Sequence, residues 1–218
     1  MPRKLQQGLN SLRRTILDLG VTVKERVDMA VTAVRDKDAT LASQVIERDR
    51  EIDLKEVEIE EECLKIIALN QPVADDLRFL VTTIKINNDL ERIADQAVNI
   101  SERVEIISRR RTLEFSVDYS EMADKTQRML KLCLDALVNA DVDLAYKVIL
   151  MDDEVDELKR IIYDKVKDEL ALHPDHSGYL INLFLISRHL ERIGDLAGNI
   201  AQEVIYLVEG KIPRHHAA

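Results

Sequence analysis

Apolar residues keep a helical spacing along nearly the whole chain. From Leu5 to Val34 the positions Leu9, Leu12, Ile16, Leu19, Val23, Val27, Ala30 and Val34 repeat every three or four residues and predict one long helix. Gly8 and Gly20 lie within it as points of fraying or bending. Asp36-Lys37-Asp38 closes it, and Asp38 is placed as N-cap of a second helix running to about Leu69. Asn70-Gln71-Pro72 is a stop, with Pro72 at the first position of a third helix that continues to about Ser108. Arg109 to Tyr119 lacks periodicity and reads as a linker. The pattern then starts again: a helix from Glu121 to Val138, a turn at Asn139-Ala140-Asp141, and a helix to Leu172. After the breaker His173-Pro174-Asp175 comes a last helix to Glu209, which Gly210 ends; Pro213 to Ala218 reads as a frayed tail.

The replay is a duplication. Asp89-Leu90-Glu91-Arg92-Ile93-Ala94-Asp95-Gln96-Ala97-Val98-Asn99-Ile100 returns as His189-Leu190-Glu191-Arg192-Ile193-Gly194-Asp195-Leu196-Ala197-Gly198-Asn199-Ile200. Asp49 and Asp53 likewise return as Asp152 and Asp156. Short connections make successive helices antiparallel neighbours, so the predicted fold is all-α. It consists of two tandem three-helix bundles, residues 1–112 and 113–218, packed end to end or merged.

Composition supports helices over sheet: 33% of residues are charged, 4% aromatic, and six Gly and four Pro punctuate 218 residues. The net charge of −10 is uneven, with Lys+Arg against Asp+Glu at 19 to 21 in residues 1–112 and 12 to 20 in residues 113–218. An acidic second half argues against nucleic acid as a partner, and Arg109-Arg110-Arg111 reads as a solvated helix C-terminus. Cys63 and Cys133 stand alone inside apolar patterns and read as buried thiols. No signal-peptide pattern opens the chain and no apolar run reaches membrane-spanning length, so the expected compartment is the cytoplasm.

The chemistry lies in the repeated acids. Glu91, Asp95 and Asn99 succeed one another at four-residue steps, as do Glu191, Asp195 and Asn199, which stacks oxygen donors along one helix face. On helical wheels these acids, and Asp49/Asp53 and Asp152/Asp156 on the preceding helix, share angles with apolar residues. They are therefore expected on the packing side, where several carboxylates need neutralisation by Arg92 and Arg192 or by a metal cation. No Cys or His shares the stripes, so the donor set is all oxygen and suits Mg²⁺, Mn²⁺, Ca²⁺ or iron better than structural zinc. Ala94 and Gly194 stand where a di-iron carboxylate oxidase needs His. No nucleophile–base pair or phosphate-cradling Gly loop is present, which argues against an enzyme. A metal-dependent phosphohydrolase and a purely structural metal-binding bundle remain as alternatives.

Two three-helix repeats with Asp-x-x-x-Asp on the second helix and Leu-Glu-Arg-Ile-(Ala/Gly)-Asp-x-Ala-x-Asn-Ile on the third resemble the PhoU family. So does Ala74-Asp75-Asp76-Leu77-Arg78-Phe79-Leu80 leading into Ile84-Lys85-Ile86, and the likeness extends from Leu5 to Glu209. The resemblance implies a cytoplasmic regulator with two multinuclear metal sites, holding iron, manganese or magnesium, with zinc also possible. One would be formed by Asp49, Asp53, Glu91 and Asp95, the other by Asp152, Asp156, Glu191 and Asp195, with Asn99 and Asn199 in support. It further implies negative regulation of the phosphate-starvation response, by linking the ATPase subunit of a phosphate ABC transporter to a sensor histidine kinase. A homodimer and peripheral contact with the membrane are further expectations. Between the copies Glu60 is answered by Tyr163, Asp89 by His189 and Glu102 by Gln202, so the second site is expected to hold metal more weakly.

Overall fold

A computed structural model describes residues 3–109 and 114–211. Eight α-helices occur among them, with no strand. They are α1 (Arg3–Asp36), α2 (Ala39–Glu47), α3 (Arg50–Asn70), α4 (Ala74–Ser108), α5 (Ser120–Asn139), α6 (Val142–Leu150), α7 (Asp152–Leu172) and α8 (Ser177–Glu209). A 3₁₀ turn, Pro174–His176, leads into α8. The expected tail from Pro213, the pair Arg110-Arg111 and the boundary between the two expected domains lie outside the described residues.

The turns after α1 and α5 form where expected, and Asp38 takes its expected capping role. Asp38 caps α2 by accepting from the backbone N–H groups of Thr40 and Leu41, and Asp141 caps α6 by accepting from that of Leu144. Gly210 ends α8 at φ 70°, a left-handed conformation that suits glycine. Pro72 precedes α4 rather than opening it; Val73 occupies the N-cap. Gly20 neither frays nor breaks α1. A Cβ there would come within 2.7 Å of Leu134 Cδ2, so glycine allows α1 and α5 to approach closely.

One element departs from expectation in both copies. The second helix of each repeat is kinked, at Arg48-Asp49 and at Met151. Around the first kink the backbone bonds tighten to three-residue steps, Ile52 N–H to Asp49 carbonyl at 2.8 Å and Glu51 N–H to Arg48 carbonyl at 3.2 Å. Asp49 itself keeps helical angles, φ −59° and ψ −42°. The chain therefore bends without losing register, and the predicted apolar period runs through the bend unbroken.

The two repeats merge. α4 and α8 pack against each other along their lengths, α1 contacts both α4 and α5, α2 and α3 lie on α4, and α6 and α7 lie on α8. The central pair is antiparallel, because Lys85 near the start of α4 meets Glu203 near the end of α8, Gln96 meets His189, and Arg103 meets Asn182. One apolar cluster spans both repeats, from Leu5, Leu19 and Leu80 to Leu130, Leu180 and Val204. Each fully buried leucine contributes about 1.5–3 kcal/mol.

Candidate metal centres

The second-helix seam carries its acids among core residues. Along α2 and α3 the inward positions are Ala42, Val45, Asp49, Ile52, Glu56, Ile59, Cys63 and Ile66, alternating in steps of three and four. Asp49 and Glu56 thus take places that apolar residues fill above and below, with Asp53 and Glu60 on the outer flank. α6 and α7 repeat the seam as Ala145, Val148, Asp152, Val155, Lys159, Ile162 and Val166. The position of Glu56 is taken by Lys159.

The third-helix stripe sits differently from the wheel's expectation. The side of α4 facing the core carries Leu80, Ile86, Leu90, Ile93, Ala97 and Ile100, whereas Glu91, Asp95 and Asn99 are only half-buried. Val73, Leu77 and Val81, which share the acids' angle, are exposed. The packing side of α4 lies on a different arc from the expected one because α4 packs on α8 as well as on its own repeat, which turns its apolar face toward the partner helix. The carboxylates line an open flank where α3 meets α4.

The first cluster brings together Asp49, Asp53, Glu56, Glu91 and Asp95. Partial burial pushes the Glu91 carboxyl up to about 7, with further upward pressure from Asp95, Glu56, Asp53 and Asp49. Burial pushes Asp49 up to about 6, assisted by Asp53 and Asp95 and opposed by Arg26. Asp95 and Glu56 are raised as well, first by desolvation and then by neighbouring acids. The nearby cations are engaged elsewhere: Arg26, 6% exposed, donates to Glu51 at 3.1 Å, and Arg92 pairs with Asp89 at 3.3 Å. The carboxylates keep apart, as like charges do, and among the described residues no three acidic, histidine or cysteine side chains already converge as ligands.

The second cluster brings together Asp152, Asp156, Glu191 and Asp195, but contains its own cations. Lys159 Nζ donates to Glu191 at 2.6 Å and to Asp156 at 3.0 Å. Arg192 pairs with Asp195 at 2.9 Å, since His189 replaces the aspartate that holds its counterpart Arg92. Asp152 is still raised to about 6, by desolvation and then by Asp195, Asp156, Asp153 and Glu191. Tyr163, in the place of Glu60, stacks edge-on against Phe184 at 5.5 Å. Asn199 lines a recess of about 190 Å³ with Asp152, Arg192 and Asp195, whereas Asn99 sits half-buried one turn beyond Asp95. A cavity of about 580 Å³ lies away from both clusters, beside Arg35, Tyr119 and Tyr179.

Glu56 and Lys159 belong to the clusters but not to the repeated acidic pattern. Both lie about 20° from the first aspartate of their repeat on the same wheel, so the signal was present.

Fused three-helix repeats with an acidic cluster in each define a class: a tandem-repeat helical protein built around duplicated carboxylate centres. The chain belongs to the PhoU family, whose PhoU domain model matches residues 16–104 and again 119–204. It is 32% identical over 213 residues to a phosphate-specific transport system accessory protein PhoU homolog of Clostridium acetobutylicum, covering 97% of each chain. It is 36% identical over 212 residues to the Aquifex aeolicus protein of the same description, covering 97% of this chain and 96% of that one. The crystal structure of PhoU from Pseudomonas aeruginosa superimposes with a TM-score of 0.91 at 35% identity, covering 94% of this chain and 99% of that one.

Proposed function

We propose that this protein is a negative regulator of the phosphate-starvation response and acts as a non-enzymatic adaptor. It connects the ATPase subunit of a phosphate ABC transporter to a phosphate-sensing histidine kinase, and its first carboxylate cluster binds metal. The observation that carries the regulatory reading is the match of both repeats, over nearly the full chain, to proteins described as phosphate-specific transport accessory proteins. No helix among the described residues is long and apolar enough to cross a membrane, which agrees with a protein that meets membrane partners from one side.

The metal reading rests on the chemistry of the donors. Asp49, Asp53, Glu56, Glu91 and Asp95 offer oxygen alone, beside a core that penalises their joint ionisation. A hard cation such as Mn²⁺, Mg²⁺ or iron relieves that repulsion by drawing the carboxylates together, with zinc a weaker match. A bound ion would tie α3 to α4 across the open flank and so fix the surface those helices present. Asn99, one turn beyond Asp95 on the same helix, would support it.

The test is complementation. A strain lacking the gene is expected to express its starvation genes in phosphate-rich medium, and the wild-type chain restores repression. Constitutive repression in the deletion strain would refute the regulatory role. Turnover of a phosphate ester that requires Mn²⁺ and disappears in Asp95→Ala would replace the adaptor with a phosphohydrolase.

A further inference from the structure

The same cluster is built twice, but the seam position between the upper and lower acids carries opposite charges. Glu56 adds a carboxylate to the first cluster. Its counterpart Lys159 places an ammonium between Glu191, at 2.6 Å, and Asp156, at 3.0 Å, where a shared cation would bridge the two helices. The lysine is seated rather than incidental. Its stem leaves the buried seam between Val155 and Ile162, and the Lys159 side chain is only 27% exposed beside a Glu191 side chain 18% exposed.

A second substitution works the same way. In the first repeat Asp89 draws Arg92 away from Asp95, whereas His189 cannot, and Arg192 turns onto Asp195 at 2.9 Å. The second cluster therefore sets one lysine and one arginine against Asp152, Asp156, Glu191 and Asp195. Tyr163 and Phe184 replace a carboxylate with an aromatic pair at its edge. Among the described residues, the acids of the first cluster have no ion-pair partner within 4 Å.

We infer that Lys159 is the resident cation of the second repeat, locking α7 to α8 without metal, so that only the first repeat is metal-responsive. This rests on the metal-binding reading of the first cluster. A bound ion at Asp156 and Glu191 would have to displace an ammonium that already makes two charge-assisted hydrogen bonds. The chain thereby keeps one rigid half and one half whose α3–α4 geometry depends on the ion.

Manganese titration of the full chain, read as bound Mn²⁺ per chain by equilibrium dialysis, tests this with Lys159→Glu, Lys159→Met and Glu56→Lys. The wild type is expected to fill one class of site. Lys159→Glu should gain a second class at least tenfold tighter than any second-repeat binding in the wild type, and Glu56→Lys should lose the first class. Two equal classes in the wild type, or an unchanged stoichiometry in Lys159→Glu, would overturn the assignment. Melting in EDTA separates this from the metal reading itself. If no variant binds Mn²⁺ the metal reading fails, and the lysine lock then stands only if Lys159→Met and Lys159→Glu lower the metal-free melting temperature while Glu56→Lys raises it. Unchanged melting in all three would overturn it.

Discussion

Glu91 is held near neutrality by burial and by four neighbouring acids, and that fixes how the metal-free protein responds to pH. A carboxyl whose folded pKa is raised to about 7, from an ordinary 4.5, binds its proton more tightly when folded. Its contribution to stability is present at low pH and is lost as pH rises through that interval. Metal-free protein should therefore melt lower at about pH 8 than at about pH 5.5 on account of this group. Glu91→Gln should remove much of that slope and stabilise the metal-free chain at high pH by on the order of 1 kcal/mol, once the shift is discounted for partial exposure. Thermal melts in EDTA across pH check this, and an unchanged slope in Glu91→Gln would show that the cluster is not strained. Asp49, Asp53, Glu91 and Asp95 are legible as acids repeated between the two halves, whereas Glu56 is not. Lys159 is not legible from a pattern of oxygen donors, because it is a cation standing where an ion would.

The helices and their turns were readable from periodicity and capping chemistry, since Asp38 and Asp141 announce α2 and α6 and Gly210 announces the end of α8. Asp38 accepts two backbone N–H bonds, at 2.9 and 3.0 Å. Asp38→Ala should cost about 1 kcal/mol in chemical denaturation, and an effect near zero would mean that tertiary contacts alone set where α2 begins. The kinks at Arg48-Asp49 and Met151 were not legible, because the apolar period continues through them without a Gly or Pro to mark a bend. The first kink includes the first acid of its cluster, Asp49, and the second immediately precedes Asp152. A tightened turn there changes the aim of Asp49 relative to Glu91 and Asp95, so the bend belongs to the site as much as to the fold.

At the scale of the molecule, duplication was plain from the sequence, but the way the copies join was not. Whether two bundles pack end to end or merge depends on which arc of the third helices is covered, and α4 and α8 resolve it by covering each other. A single core running from Leu5 to Val204 predicts one cooperative unfolding transition for the whole chain. Two well-separated calorimetric transitions, each assignable to one repeat, would contradict that. Merging also lets the repeats diverge: α8 and the lysine-bridged α7 provide a frame against which α3 and α4 can respond. On the proposed function, metal on the first cluster shapes the surface engaging the transport and sensing partners. The most direct measurement of this is co-purification of the transporter ATPase and the histidine kinase with wild-type chain and with Glu91→Ala/Asp95→Ala, with metal content measured on the same samples. Wild type is expected to retain metal and both partners, and the double variant to lose the metal and most of the partner binding. Full partner binding by a metal-free double variant would contradict it.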